Sequence, residues 1–174
     1  MGKKKLAAIV AVSALVLVAL ITVYTVLMKD HKIKLSPELQ SAAASKGTFQ
    51  VGLFYRTAGV TTPPIDVVCI ITVDTLPKTV SMGGGSGCDN DKAEFFAIQN
   101  GTIATVGIYD EPCSGDLHDD DFYEYRITQS PLNHEYMYGF FDGNASPGIP
   151  GMKPVASKYK NGLTGKVSCI KIYP

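Results

Sequence analysis

An all-β sandwich behind one N-terminal transmembrane helix is the fold class this sequence predicts, and three observations predict it. A long charge-free apolar run opens the chain, short Val/Ile/Phe/Tyr-rich segments separated by turn residues fill the rest, and the 4 cysteines all lie in that second part. At 174 residues and 45% apolar, the chain has enough material for one ordinary core plus an appendage.

From Leu6 to Met28 no residue is charged, and only Ser13, Thr22, Tyr24 and Thr25 interrupt Ala, Val, Leu and Ile. At about 1.5 Å per residue such a helix crosses the roughly 30 Å hydrocarbon layer. A cleaved signal peptide has an apolar stretch of about 7–15 residues and a small-residue junction. Here Lys29-Asp30-His31-Lys32 follows directly, and Ala42 and Ala44 lie well beyond the apolar end. Residues 1–28 therefore read as a retained anchor in the lipid bilayer, residues 29–48 as a polar tether and residues 49–174 as the β domain. Within the tether, Ser36-Pro37-Glu38 is able to start a short helix.

Lysines flank the span almost evenly, so charge bias does not orient it. Cys69, Cys88, Cys113 and Cys169 do: an even set in a small domain suits disulfides in an oxidising compartment, with no spacing that suits zinc. The expected topology is a cytoplasmic N-terminus and a periplasmic or extracellular domain. Four cysteines allow three connectivities, and the residues alone do not choose.

Candidate strands are Phe49 to Tyr55, Asp66 to Val73, Glu94 to Gln99, Ile103 to Tyr109, Phe122 to Ile127, Glu135 to Phe140, Pro154 to Tyr159 and Val167 to Ile172. Ser81 to Gly87 and Asp142 to Met152, rich in glycine or proline, read as loops.

Formal charge is zero, which excludes a global field toward nucleic acid. The distribution is uneven, because Asp116, Asp119, Asp120, Asp121 and Glu124 crowd one segment while Lys153, Lys158, Lys160, Lys166 and Lys171 follow Asp142 without any acid. No nucleophile elbow, zinc-protease helix motif or phosphate-binding glycine loop occurs, so the chain is expected not to be an enzyme. A dyad of His118 with Asp119 or Asp121 is the one catalytic pairing the segment offers.

Two segments repeat each other: Val51-Gly-Leu-Phe-Tyr-Arg-Thr-Ala-Gly59 and Val106-Gly-Ile-Tyr-Asp-Glu-Pro-Cys-Ser-Gly115. Each precedes a segment that opens on asparagine, Asn90-Asp91 and Asn161-Gly-Leu-Thr-Gly-Lys-Val-Ser168. With Cys88-Asp-Asn-Asp91 and Asp120-Asp-Phe122, this order resembles bacterial extracytoplasmic βγ-crystallin-like proteins over roughly residues 49 to 173. The resemblance implies a double Greek-key sandwich, with Tyr55 or Tyr109 lying over Gly59 or Gly115. It implies pairing of Cys69 with Cys88, and with it Cys113 with Cys169. Calcium ligands in that family follow a pattern of two Asn/Asp and two hydroxyl residues. Asn90 and Asp91 keep the first half of one copy and Ser168 one hydroxyl of the other, so calcium is the cofactor to test.

The function expected is a non-catalytic, membrane-anchored binding or structural module with a protein partner. Asp116, His118, Asp119, Asp120 and Asp121 are its candidate partner surface. A periplasmic immunity or inhibitor protein that neutralises a toxin or hydrolase, a calcium-binding crystallin-like domain and a filament subunit are the alternatives.

Overall fold

Short β-branched and aromatic segments separated by turn residues favour strands whose successive side chains point to opposite faces, and the chain folds accordingly. The computed structural model describes residues 32–37, 47–56, 65–140 and 148–174. The anchor read over Leu6 to Met28 and residues 142–147 of the Gly/Pro loop lie outside these. Among the described residues no helix is long and apolar enough to cross a membrane.

The strands are β1 (Lys32–Lys34), β2 (Phe49–Arg56), β3 (Ile65–Val73), β4 (Lys78–Ser81), β5 (Phe95–Gln99), β6 (Thr105–Tyr109), β7 (Phe122–Ile127), β8 (Tyr136–Gly139), β9 (Met152–Lys158) and β10 (Cys169–Tyr173). The eight expected strands all form, with ends within two residues of expectation. Two more were not expected. β1 lies in the stretch read as a tether, and β4 is short, only half-buried on alternate residues and pressed between Pro77 and the glycine loop.

Two antiparallel 5-stranded sheets result, in the orders β1-β8-β5-β2-β3 and β4-β10-β6-β7-β9. Four strands of each follow one plan: β3-β2-β5-β8 in the first sheet matches β7-β6-β10-β4 in the second. The registers agree as well. Phe54 faces Phe95 as Tyr109 faces Cys169, and Gly52 faces Ala97 as Gly107 faces Lys171. β4 and β8 thereby complete sheets that are otherwise built by the other half of the chain.

Between the sheets, Val51, Leu53, Phe96 and Ile98 pack on Val106, Ile108, Tyr125, Ile170 and Ile172. Phe96 stacks on Phe140 at 5.9 Å between centroids and meets Tyr125 of the opposite sheet at 6.1 Å. Disulfides join Cys69 to Cys88 and Cys113 to Cys169 and point to an oxidising compartment outside the cytoplasm. Their separations of 19 and 56 residues correspond to about 3 and about 4 kcal/mol of restricted unfolded-chain entropy.

The repeated glycine and aromatic meet differently from expectation. Alternate strand residues share a face, so the ring at one position can fold back over a glycine two residues earlier. Tyr109 lies over Gly107 and Phe54 over Gly52, and a Cβ on those glycines would come within 2.1 Å of the Tyr109 hydroxyl and 2.6 Å of Phe54 Cζ. Gly115 is not the seat of Tyr109: a Cβ there would meet Pro112 O and Glu111. Gly59 lies outside the described residues.

Because both rings are buried, neither yields cheaply. Gly107→Ala and Gly52→Ala should each cost about 1–3 kcal/mol through overpacking. Gly148→Ala, with open space around it, should stay within about 0.5 kcal/mol. Denaturant midpoints of the three variants measure this.

His134 is 3% exposed. Its Nδ1 accepts the Ile98 N–H at 3.2 Å, so protonation there would break a buried hydrogen bond. Burial lowers its pKa from 6.5 to about 4, against a weaker opposing effect of the Pro150 carbonyl. Between those values the unfolded chain binds more protons than the native one, so stability rises with pH there and is lost on acidification. Urea unfolding should show about 2 kcal/mol less stability at pH 5 than at pH 7 from this group. His134→Gln, which retains an acceptor, should remove that difference; an equal loss in the variant would refute the assignment.

Candidate functional site: a braced acidic loop

The segment that carries all five candidate partner residues is the β6–β7 connection, residues 110–121, on the outer face of the second sheet. Strand alternation places Tyr109, Phe122 and Glu124 on that outer face, and the loop closes over them. Its ends are joined by Asp110 N–H donating to Asp121 O at 3.0 Å. Cys113 is stapled to Cys169 on β10, and Leu117 and Cys113 pack on the small cluster of Tyr109, Phe122 and Cys169. Asp116 forms a turn by accepting the His118 N–H at 3.2 Å on its side chain and the Asp119 N–H at 3.0 Å on its carbonyl.

Beneath the loop, the buried Glu124 carboxylate accepts the Tyr109 hydroxyl at 2.7 Å and sits 3.0 Å from His118 Nε2. Burial, then the hydrogen bond and charge of Glu124, raise the Tyr109 pKa far above its ordinary value. Burial followed by Glu124 also raises that of Tyr173. The His118 ring stands edge-on to Phe122 at 4.5 Å. His118 thus pairs with Glu124 rather than with Asp119 or Asp121, and among the described residues no serine or thiol nucleophile is hydrogen-bonded to it.

Two of the lysines that follow Asp142 in sequence, Lys158 and Lys160, return to this loop in space. Lys158 Nζ donates to the carbonyls of His118 at 3.1 Å and Asp119 at 2.5 Å. Asp121, 1% exposed, accepts the backbone N–H groups of Lys160 and Asn161. Asp120 pairs with Lys160 Nζ at 3.2 Å. The five candidate partner residues therefore divide: Asp116, His118 and Asp119 are exposed, Asp120 is half-buried in an ion pair, and Asp121 holds the loop from inside.

Asp110, Asp120 and Asp121 bring carboxylate oxygens within 4.8 Å of one another. Burial raises the Asp110 pKa, and nearby Lys166 opposes it. Of the residues matched to a calcium pattern, Asn90 and Asp91 lie exposed in a turn, Asp91 with φ 56°. Ser168 turns its hydroxyl to Lys166 O at 3.3 Å. The trio is a hard-oxygen set in kind. It fits a cation poorly, because Asp121 is engaged by two backbone donors and Asp120 by an ammonium. Asp110 and the internal role of Asp121 were not foreseen; the run of acids reads as uniformly solvated, and only its abutment on Phe122 hinted at burial.

No family model matches the chain, and searches of curated proteins and of solved structures find no match.

Asp121→Ala leaves the part-buried Lys160 and Asn161 N–H groups without this acceptor and should cost about 1–2 kcal/mol in urea unfolding. Asp119→Ala, at an exposed position, should stay within about 0.5 kcal/mol.

Proposed function

We propose that the chain is a non-catalytic binding module of the extracytoplasmic space, held to the membrane by Leu6 to Met28, that presents Asp116, His118 and Asp119 to a protein partner. The observation that carries this reading is the bracing of the acidic loop. A disulfide, the Asp121 acceptor and the Lys158 cap hold it on a rigid sandwich, so little ordering entropy remains to be lost on association. Loops on rigid scaffolds are where binding residues concentrate. The two matching strand orders, with β4 and β8 exchanged between sheets, support a βγ-crystallin-like double Greek key as its architecture.

A partner with a basic cleft suits exposed aspartates, and a toxin or hydrolase neutralised in the periplasm is the sharper form of the reading. The filament and calcium readings have less support. No observation on the domain points to lengthwise polymerisation, and the carboxylate trio is already matched by lysines and backbone donors.

Affinity purification of the full-length protein in detergent from its host tests this, beside a copy carrying Asp116→Asn and Asp119→Asn. A partner recovered by the parent should be depleted about tenfold or more in the copy and released by salt, while both melt at the same temperature. Equal recovery of the same envelope components by both would overturn the loop as the interface.

A further inference from the structure

Asparagine followed by glycine is the step at which a chain most readily attacks itself, because glycine has no side chain to hinder its own amide nitrogen. The sequence has two such steps, Asn100-Gly101 and Asn161-Gly162. The fold treats them differently.

At the first step, Gly101 N–H donates to Leu132 O at 2.9 Å and Gly101 O accepts the Leu132 N–H at 2.8 Å, so the nucleophile is held in a bridge between two segments. Asn100 is half-buried, and its own N–H donates to Asn133 Oδ1 at 2.7 Å. The second step lies in the connection between β9 and β10. Gly162 is buried with φ 89°, and among the described residues its N–H makes no hydrogen bond, so no bond has to break before it reacts. Asn161 is exposed to water, and its side-chain Oδ1 accepts from Lys166 Nζ. A cation on that oxygen draws electrons from Cγ and stands where negative charge develops when a nucleophile adds.

We propose that Asn161 is a modification site at which the chain deamidates itself, converting this asparagine to aspartate without an enzyme. Solvent base takes the Gly162 N–H proton as the nitrogen bonds to Asn161 Cγ. The Cγ–Nδ2 bond then breaks, and ammonia leaves with a proton from water. A water molecule opens the resulting five-membered imide at either carbonyl. One opening gives ordinary aspartate, and the other routes the main chain through the former side chain. Water is the co-reactant, and nothing is oxidised or reduced.

The site bears on the acidic loop. Asn161 N–H donates to Asp121 at 3.0 Å, one of the bonds that hold the loop from inside. Conversion sets a further negative charge beside Asp121, and like charges placed together disrupt. The rerouted product also lengthens the backbone next to this bond. Both changes loosen the loop, whatever it binds.

Peptide mapping by mass spectrometry tests this on the full-length protein in detergent, held folded at mildly alkaline pH beside a urea-unfolded sample. Unfolded, the two asparagines should convert at similar rates, because glycine follows each. Folded, Asn161 should convert about fivefold or more faster than Asn100, the ratio implied by one amide hydrogen bond kept at Gly101. Lys166→Met should slow Asn161 and leave Asn100 unchanged, and amides of residues 110–121 should exchange faster in the converted protein. Equal rates in the folded protein overturn the proposal, as does an Asn161 that stays intact while the unfolded chain converts. Conversion that ignores Lys166→Met, or that leaves loop exchange unchanged, overturns the part assigned to that lysine or to the loop. None of these readouts needs a partner, so failure of the partner reading and failure of this one are separable.

Discussion

The fold of the Tyr109 ring over Gly107 is the contact on which the outer face of the second sheet is built. A side chain at position 107 would drive the ring away from the sheet, and the ring is what Phe122, Cys169 and Leu117 pack around. Its hydroxyl supplies one of the donors that make a buried Glu124 tolerable, since a carboxylate taken out of water without partners costs several kcal/mol. Glu124 in turn fixes the His118 ring, and His118 and Asp119 offer the carbonyls that Lys158 caps. The exposed groups of the loop thus depend on a glycine that touches none of them.

Phe54 over Gly52 does the corresponding work on the first sheet, where Phe54 packs with Leu35, Phe95, Ala97 and Met137. Each sheet therefore buries residues on both faces at its centre, which is why β2, β5 and β6 are almost wholly buried although each sheet has one outer side. The exchange of β4 and β8 adds a second constraint. β10 lacks its outer neighbour until β4 of the first half arrives, and β5 lacks its own until β8 of the second does. Neither half presents a finished sheet alone, so the sandwich has to form as one cooperative unit.

Much of this was legible in the residues, and the misses have identifiable causes. Period-two runs such as Tyr123 to Ile127 declare themselves because Tyr123, Tyr125 and Ile127 turn to the core while Glu124 and Arg126 take the other face. The Val-Gly-aromatic repeat was visible, yet the glycine that receives the ring is the one inside the strand, because strand geometry brings residues two apart onto one face. β4 escaped because Lys-Thr-Val-Ser buries too little to show a pattern, and β1 because three residues carry no period at all. Asp121 was indistinguishable from its neighbours in sequence. Its burial depends on Lys160 and Asn161, some 40 residues further along, and no local pattern reports such a contact.

The separation of acids and lysines along the chain might be taken for a dipolar surface, and the fold argues otherwise. β9 runs antiparallel to β7, so the residues that leave β9 return beside those that enter β7. That single pairing sets Lys158 and Lys160 against the acidic loop, and Lys166 follows into the neighbourhood of Asp110. Part of the apparent charge asymmetry is thereby taken up internally, by the Lys158 cap and the Lys160–Asp120 ion pair. What reaches solvent from the acidic run is the short stretch around Asp116 and Asp119. A field so local decays within about 8–10 Å at physiological ionic strength, so it can bias the orientation of a partner already at the surface far more than it can attract one from a distance.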